Sequence, residues 1–86
     1  MSLERVRAQL GKFGLAKPND EMAVTVQSLS PYYLFSDSIG ETFLIARADD
    51  VEQRLNAISY NMGKLTYEQF WSGVWLGRVP HYRGFD

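Results

Sequence analysis

The sequence predicts an α+β fold: one three-stranded antiparallel sheet packed with three helices, in the order α-β-β-β-α-α. Three observations carry that expectation. Apolar residues recur every three or four positions near both ends of the chain, at Leu3, Val6, Leu10 and Phe13 and again at Tyr67, Phe70, Trp71, Val74 and Trp75. That is the spacing of one helical face. Between them the period falls to two, with Met22, Val24 and Val26 alternating with Ala23, Thr25 and Gln27, as in a half-buried strand. Glycine and proline punctuate the joins, at Gly14, Pro18, Pro31, Gly40, Gly63 and Gly77.

The first helix is expected over about 2–14, capped by Ser2 and ended by Gly14. Residues 16–20 read as a loop. Strands are expected at about 22–29, 32–36 and 42–47. Pro31 stops the first, the second is rich in aromatics, and Ser36 to Gly40 supply the turn before the third. Ser30-Pro31 is also a fair helix start, so the rival is a mostly α chain with residues 31–38 helical. The second helix is expected over 50–62, opened by Asp49 or Asp50 with capping-box spacing to Glu52 or Gln53. Its apolar face would be Val51, Leu55, Ile58 and Met62, and Gly63 closes it. The third, over 66–77, has the clearest start: Thr66 with Gln69 as a capping box, and Leu65 to pack on Phe70. Residues 78–86 read as an extended C-terminal tail, because Pro80 and Gly84 block a helix. Val79, Tyr82 and Phe85 are expected to dock, with Arg78 and Arg83 near the acidic middle of the chain. No repeat or internal boundary interrupts residues 1–86, so a single domain is expected.

Composition narrows the chemistry. With 45% hydrophobic and 22% charged residues the chain is globular in character. It has no cysteine, which removes disulfides, thiolate metal sites and a thiol nucleophile. The formal net charge is −1, so nothing global directs the chain to nucleic acid. Residues 1–17 are nonetheless basic (Arg5, Arg7, Lys12 and Lys17 against Glu4), and residues 18–62 are acidic. No stretch approaches the roughly 20 apolar residues of a membrane span, and the first residues lack a signal-peptide run. A soluble, cytoplasmic protein is the expectation.

No motif carries recognisable catalysis. His81 is the only histidine and lies in the tail, where a general base is hard to hold still. Asp49, Asp50 and Glu52 form the densest acidic group, which helix capping and the helix dipole explain. Phosphate-binding glycine loops and a nucleophile elbow are absent from the sequence. The expectation is a non-enzymatic protein without metal or cofactor. Ser2-Leu3-Glu4-Arg5-Val6-Arg7 followed by Lys12-Phe13-Gly14-Leu15 resembles the opening helix of YbaK-like aminoacyl-tRNA editing deacylases. The likeness stops at Ala16 and covers under a fifth of this chain, which is shorter than that domain. It implies nothing about activity or site residues here.

The surplus of apolar surface points elsewhere. Strands two and three are apolar on both faces, while a sheet with helices on one side needs that on one face only. Either helices cover both faces or a partner covers one. A protein-interaction module is therefore expected, self-associating as a homodimer through the apolar sheet 32–46, with Tyr33, Phe35, Phe43 and Ile45 as interface residues. A different protein is the other possible partner. The 14% aromatic content supports an alternative: a small-molecule site in an aromatic cleft between helices 50–77 and the sheet. Tyr60, Tyr67, Trp71 and Trp75 would line it, with Asp49 at its rim. A second alternative is weak nucleic-acid binding through Arg5, Arg7 and Lys12 of helix 2–14.

Overall fold

The computed structural model describes residues 3–16 and 23–77. Within them lie three helices and a three-stranded antiparallel sheet in the expected order: α1 (Leu3–Lys12), β1 (Val24–Leu29), β2 (Tyr32–Asp37), β3 (Phe43–Arg47), α2 (Ala48–Asn61) and α3 (Tyr67–Ser72), then a 3-10 turn at Val74–Leu76. Ser2, Met22 and the tail 78–86 lie outside the described residues, and with them the expected cap and the docking of Val79, Tyr82 and Phe85.

The sheet is a meander with β2 in the middle. Residues 31–38 are therefore strand and turn, not helix. Val26 pairs with Phe35 and Phe35 with Leu44, while Gln27 pairs with Leu34 and Leu34 with Ile45. Directly paired residues share a face, so this register sorts the side chains. Val24, Val26, Tyr33, Phe35, Leu44 and Ala46 go to one side, and all are buried.

The helices lie on that side. Val6 and Leu10 of α1, Val51 and Leu55 of α2, and Phe70 and Trp71 of α3 join the strand residues in one core. The Phe35 and Phe70 rings meet edge-to-face at 5.0 Å, and Trp75 stacks on Phe70 at 5.2 Å. Helices α1 and α2 are also tied by polar side chains. Gln9 Nε2 donates to Asn56 Oδ1 (3.1 Å) and Lys12 Nζ to Ser59 Oγ (2.8 Å).

Two helix boundaries differ from expectation. Helix α2 begins at Ala48 with Arg47 as its N-cap, and no side chain caps it. Asp49 and Asp50 sit inside the first turn, where their charge meets the helix dipole without closing a capping box. Its far end is as expected: Gly63 takes φ 73° and donates its N–H to the Ile58 carbonyl (2.9 Å).

Helix α3 has the capping box, Gln69 N–H to Thr66 Oγ1 (3.1 Å) and Thr66 N–H to Gln69 Oε1 (3.0 Å). It then stops at Ser72, not at 77, because Gly73 enters the left-handed region at φ 71°. The reversal breaks the helical stripe. Val74 ends up 68% exposed and Leu76 is buried in its place, while the Trp75 indole N–H reaches back to the Phe70 carbonyl (2.7 Å).

Two glycines should respond with opposite sign. A Cβ at Gly73 meets a left-handed backbone, which costs an L-residue about 1–2 kcal/mol. Gly73→Ala should therefore lower Tm by roughly 4–8 °C per kcal/mol lost in a chain of this size. Gly11 is exposed in α1 with nothing within 4 Å of its would-be Cβ, and Gly11→Ala should raise stability by about 0.5–1 kcal/mol. Thermal unfolding of both variants checks this.

Candidate functional site: the open face of the sheet

The face away from the helices is built by the alternate residues of the same strands. Its rows are Leu29–Tyr32–Arg47, Gln27–Leu34–Ile45 and Thr25–Ser36–Phe43. No described helix covers it. Leu29, Tyr32 and Ile45 are 44, 40 and 42% exposed, and Leu34 and Phe43 are half-buried. Arg47 is its single charged residue, and its guanidinium lies over the Tyr32 ring, 5.9 Å from the centroid. At the opposite end the Thr25 and Ser36 hydroxyls hydrogen-bond at 2.8 Å. Chemically this is an apolar patch with a polar margin and one cation over an aromatic ring.

The four residues expected at an interface divide between the two faces. Phe43 and Ile45 lie on the open face. Tyr33 and Phe35 point into the core, at 5 and 0% exposure, because the side-chain period of two sends them with Val26 and Leu44. Tyr32 and Leu34 take their places on the open face. The signal that could have chosen between the two sets is the burial of Val24 and Val26, whose partners across the register are Asp37 and Phe35.

The residues expected to line an aromatic cleft do not converge. Tyr67, Trp71 and Trp75 surround Phe70 or pack beside it, with Tyr67 and Trp71 rings at 6.1 Å and Phe70 and Trp71 at 5.1 Å. Trp71 belongs to the core, and Tyr67 and Trp75 are partly buried against it. Tyr60 is 90% exposed, and Asp49 is eleven positions away on the same helix, about 16 Å along its axis. A shallow apolar groove does exist behind this cluster. It measures about 230 Å³ and lies between Ile58 of α2 and Met62 at its C-cap on one side and Val74 and Trp75 beyond α3 on the other. The basic residues of α1 are engaged locally: Lys12 on Ser59, and Arg7 on the Val26 carbonyl at 3.4 Å.

Two buried acids anchor the sheet from its helix side. Glu52 of α2 accepts the Tyr33 hydroxyl, and its other oxygen, Oε2, has no protein partner. Gln9 Oε1 is likewise unpartnered, and Gln9 and Glu52 both line a cavity of about 10 Å³ between α1 and α2. Burial, then the Glu52 charge and hydrogen bond, push the Tyr33 phenol above its usual pKa. Asp37 ends β2 and organises the turn to β3. Burial alone would push its carboxyl up. Hydrogen bonds from the backbones of Glu41, Thr42 and Gly40 and from the Thr42 side chain outweigh that and hold its pKa below the usual value; the Glu41 bond is 2.8 Å.

Among the described residues no group of acids and histidines could hold a metal ion, and no helix is long and apolar enough to cross a membrane. Comparison with protein-family models, with curated proteins and with solved structures finds no match for this chain.

Each acid makes a testable demand. Tyr33→Phe leaves the buried Glu52 carboxylate without its donor and should cost about 1–3 kcal/mol in denaturant unfolding. Asp37 has a lowered pKa when folded, so its contribution is complete above the ordinary carboxyl value, about pH 4. It is lost as pH falls through the lowered folded value. Asp37→Asn should flatten that acid limb of the stability curve. An unchanged limb would assign the acid sensitivity to other carboxylates.

Proposed function

We propose that the chain is a non-enzymatic protein-interaction module that self-associates through the sheet formed by residues 32–46. One observation carries this reading: the sheet has helices on one side, while the other side presents Leu29, Tyr32, Leu34 and Ile45 without a described element over them. Apolar surface contiguous across three strands is favourable to remove from water, at roughly 25 cal/mol per Å². A face that carries one cation and no carboxylate also offers no charge pattern to exclude a copy of itself. The patch spans three strands of five or six residues, about 14 Å by 20 Å. That is small against a standard stable interface of about 800 Å² per partner, so the association should be reversible and concentration-dependent.

Sedimentation velocity across the micromolar range is the test. The unaltered chain should shift from monomer to dimer with concentration. Ile45→Glu, which places a charge in the centre of β3 on the open face, should remain monomeric with its helices and sheet intact. A chain that stays monomeric throughout the range would sink self-association.

A second reading rests on the apolar groove beside Trp75, which could take a small apolar molecule. Trp75 reports on it directly. An apolar dye should shift the tryptophan emission in the unaltered chain and fail to do so after Val74→Asp; emission unmoved by the dye in the unaltered chain would remove this reading.

A further inference from the structure

We infer that the groove beside Trp75 takes a small uncharged molecule with an apolar body and a hydrogen-bond acceptor, such as an aromatic or aliphatic ketone, which the Gln69 side-chain amide orients. The inference deepens the second reading above and rests on it.

The end of α3 makes the groove. In an uninterrupted helix Val74 would follow Phe70 and Trp71 onto the buried face. Gly73 turns the chain into the left-handed region instead, so Val74 stands 68% exposed at one rim. Trp75 beside it is held in place: its indole N–H donates to the Phe70 carbonyl at 2.7 Å, and its ring stacks on Phe70. Across the groove, Ile58 and Met62 lie about one turn apart at the end of α2, with Met62 58% exposed. The buried Leu65 completes the apolar lining. Contacts within the chain set both walls, so the groove is formed before any ligand arrives.

Its polar inventory is short. No described charged side chain lines it. The Ser72 hydroxyl donates to the Gln69 carbonyl (2.7 Å), and the Trp75 N–H is spent on Phe70. Gln69 Oε1 accepts the Thr66 N–H as half of the capping box. The Gln69 Nε2 amide, with its two N–H donors, bonds no described group.

These groups select the ligand. A charge would be buried against the apolar walls without a partner, which is costly. A bare hydrocarbon would leave the Nε2 donors without an acceptor, whereas a carbonyl oxygen takes one of them. The volume of about 230 Å³ is below the roughly 300–1,000 Å³ of sites for drug-sized ligands, which limits the molecule to about one ring. With so few atoms to bury, Kd should be on the order of millimolar.

Acetophenone and ethylbenzene test this, because they share one skeleton and differ in the carbonyl. In heteronuclear NMR of the unaltered chain both should shift the Trp75 indole and Val74 amide signals, and acetophenone alone should shift the Gln69 side-chain amide. Gln69→Glu keeps an oxygen to accept the Thr66 N–H and removes the donor. It should change the ratio of the two affinities by roughly three- to tenfold in favour of ethylbenzene. Trp75 and Val74 signals that move with both compounds, with Gln69 unmoved and the ratio unchanged in the variant, would overturn the acceptor requirement and leave the apolar groove standing. No movement of Trp75 or Val74 with either compound at millimolar concentration would overturn both.

Discussion

The fold depends on the central strand β2 and on Phe35 within it. Phe35 is fully buried, touches Phe70 of α3 edge-to-face, and is paired on one side with Val26 and on the other with Leu44. It is the place where all three strands and the helical layer meet. Truncating a buried phenylalanine typically costs about 3–5 kcal/mol, against about 5–15 kcal/mol for a whole domain. The position of that ring also decides the function proposed for the chain. Because Phe35 faces the helices, Leu34 and its row must face away.

The polar groups near the core follow from the same geometry. Tyr33 lies two residues before Phe35 on the same face, so its hydroxyl enters the helical layer and needs an acceptor. Glu52, one position after Val51 on α2, supplies it. Asp37, two residues after Phe35, lands at the sheet's rim and spends its carboxylate on the following turn. A single alternation thus places a packing ring, a buried hydroxyl and a turn-forming acid along one face of one strand.

Most of the architecture was legible in the sequence, because its periods were long and clean. Helix α1 repeats its stripe three times, and the alternation of β1 matches Val24 and Val26 in the core. What escaped was local. At Gly73 the stripe Phe70, Trp71, Val74 continues through the glycine, and only the left-handed backbone shows that the helix has ended. At β2 the run Tyr-Tyr-Leu-Phe is apolar at every position, so the pattern itself has no phase. Two of the four residues expected on the exposed face, Tyr33 and Phe35, sit in the core for that reason. In the sequence Glu52 shows only as a capping acid, since nothing there announces that a carboxylate faces a tyrosine nineteen positions earlier.

The ties between α1 and α2 carry a further consequence. Gln9 to Asn56 and Lys12 to Ser59 each span 47 positions. Equal offsets mean that the two helices run in the same direction, so α1 can meet β1 early but must wait for the whole meander to be complete before it reaches α2. The strands and α2, by contrast, join segments adjacent in sequence. Closing a long loop is entropically slow, and we expect α1 to dock after the barrier to folding has been crossed. Weakening the α1 contacts at Leu10 should then leave the rate of folding nearly unchanged and accelerate unfolding. The lifetime of the native state, rather than the speed of reaching it, is what the first helix governs.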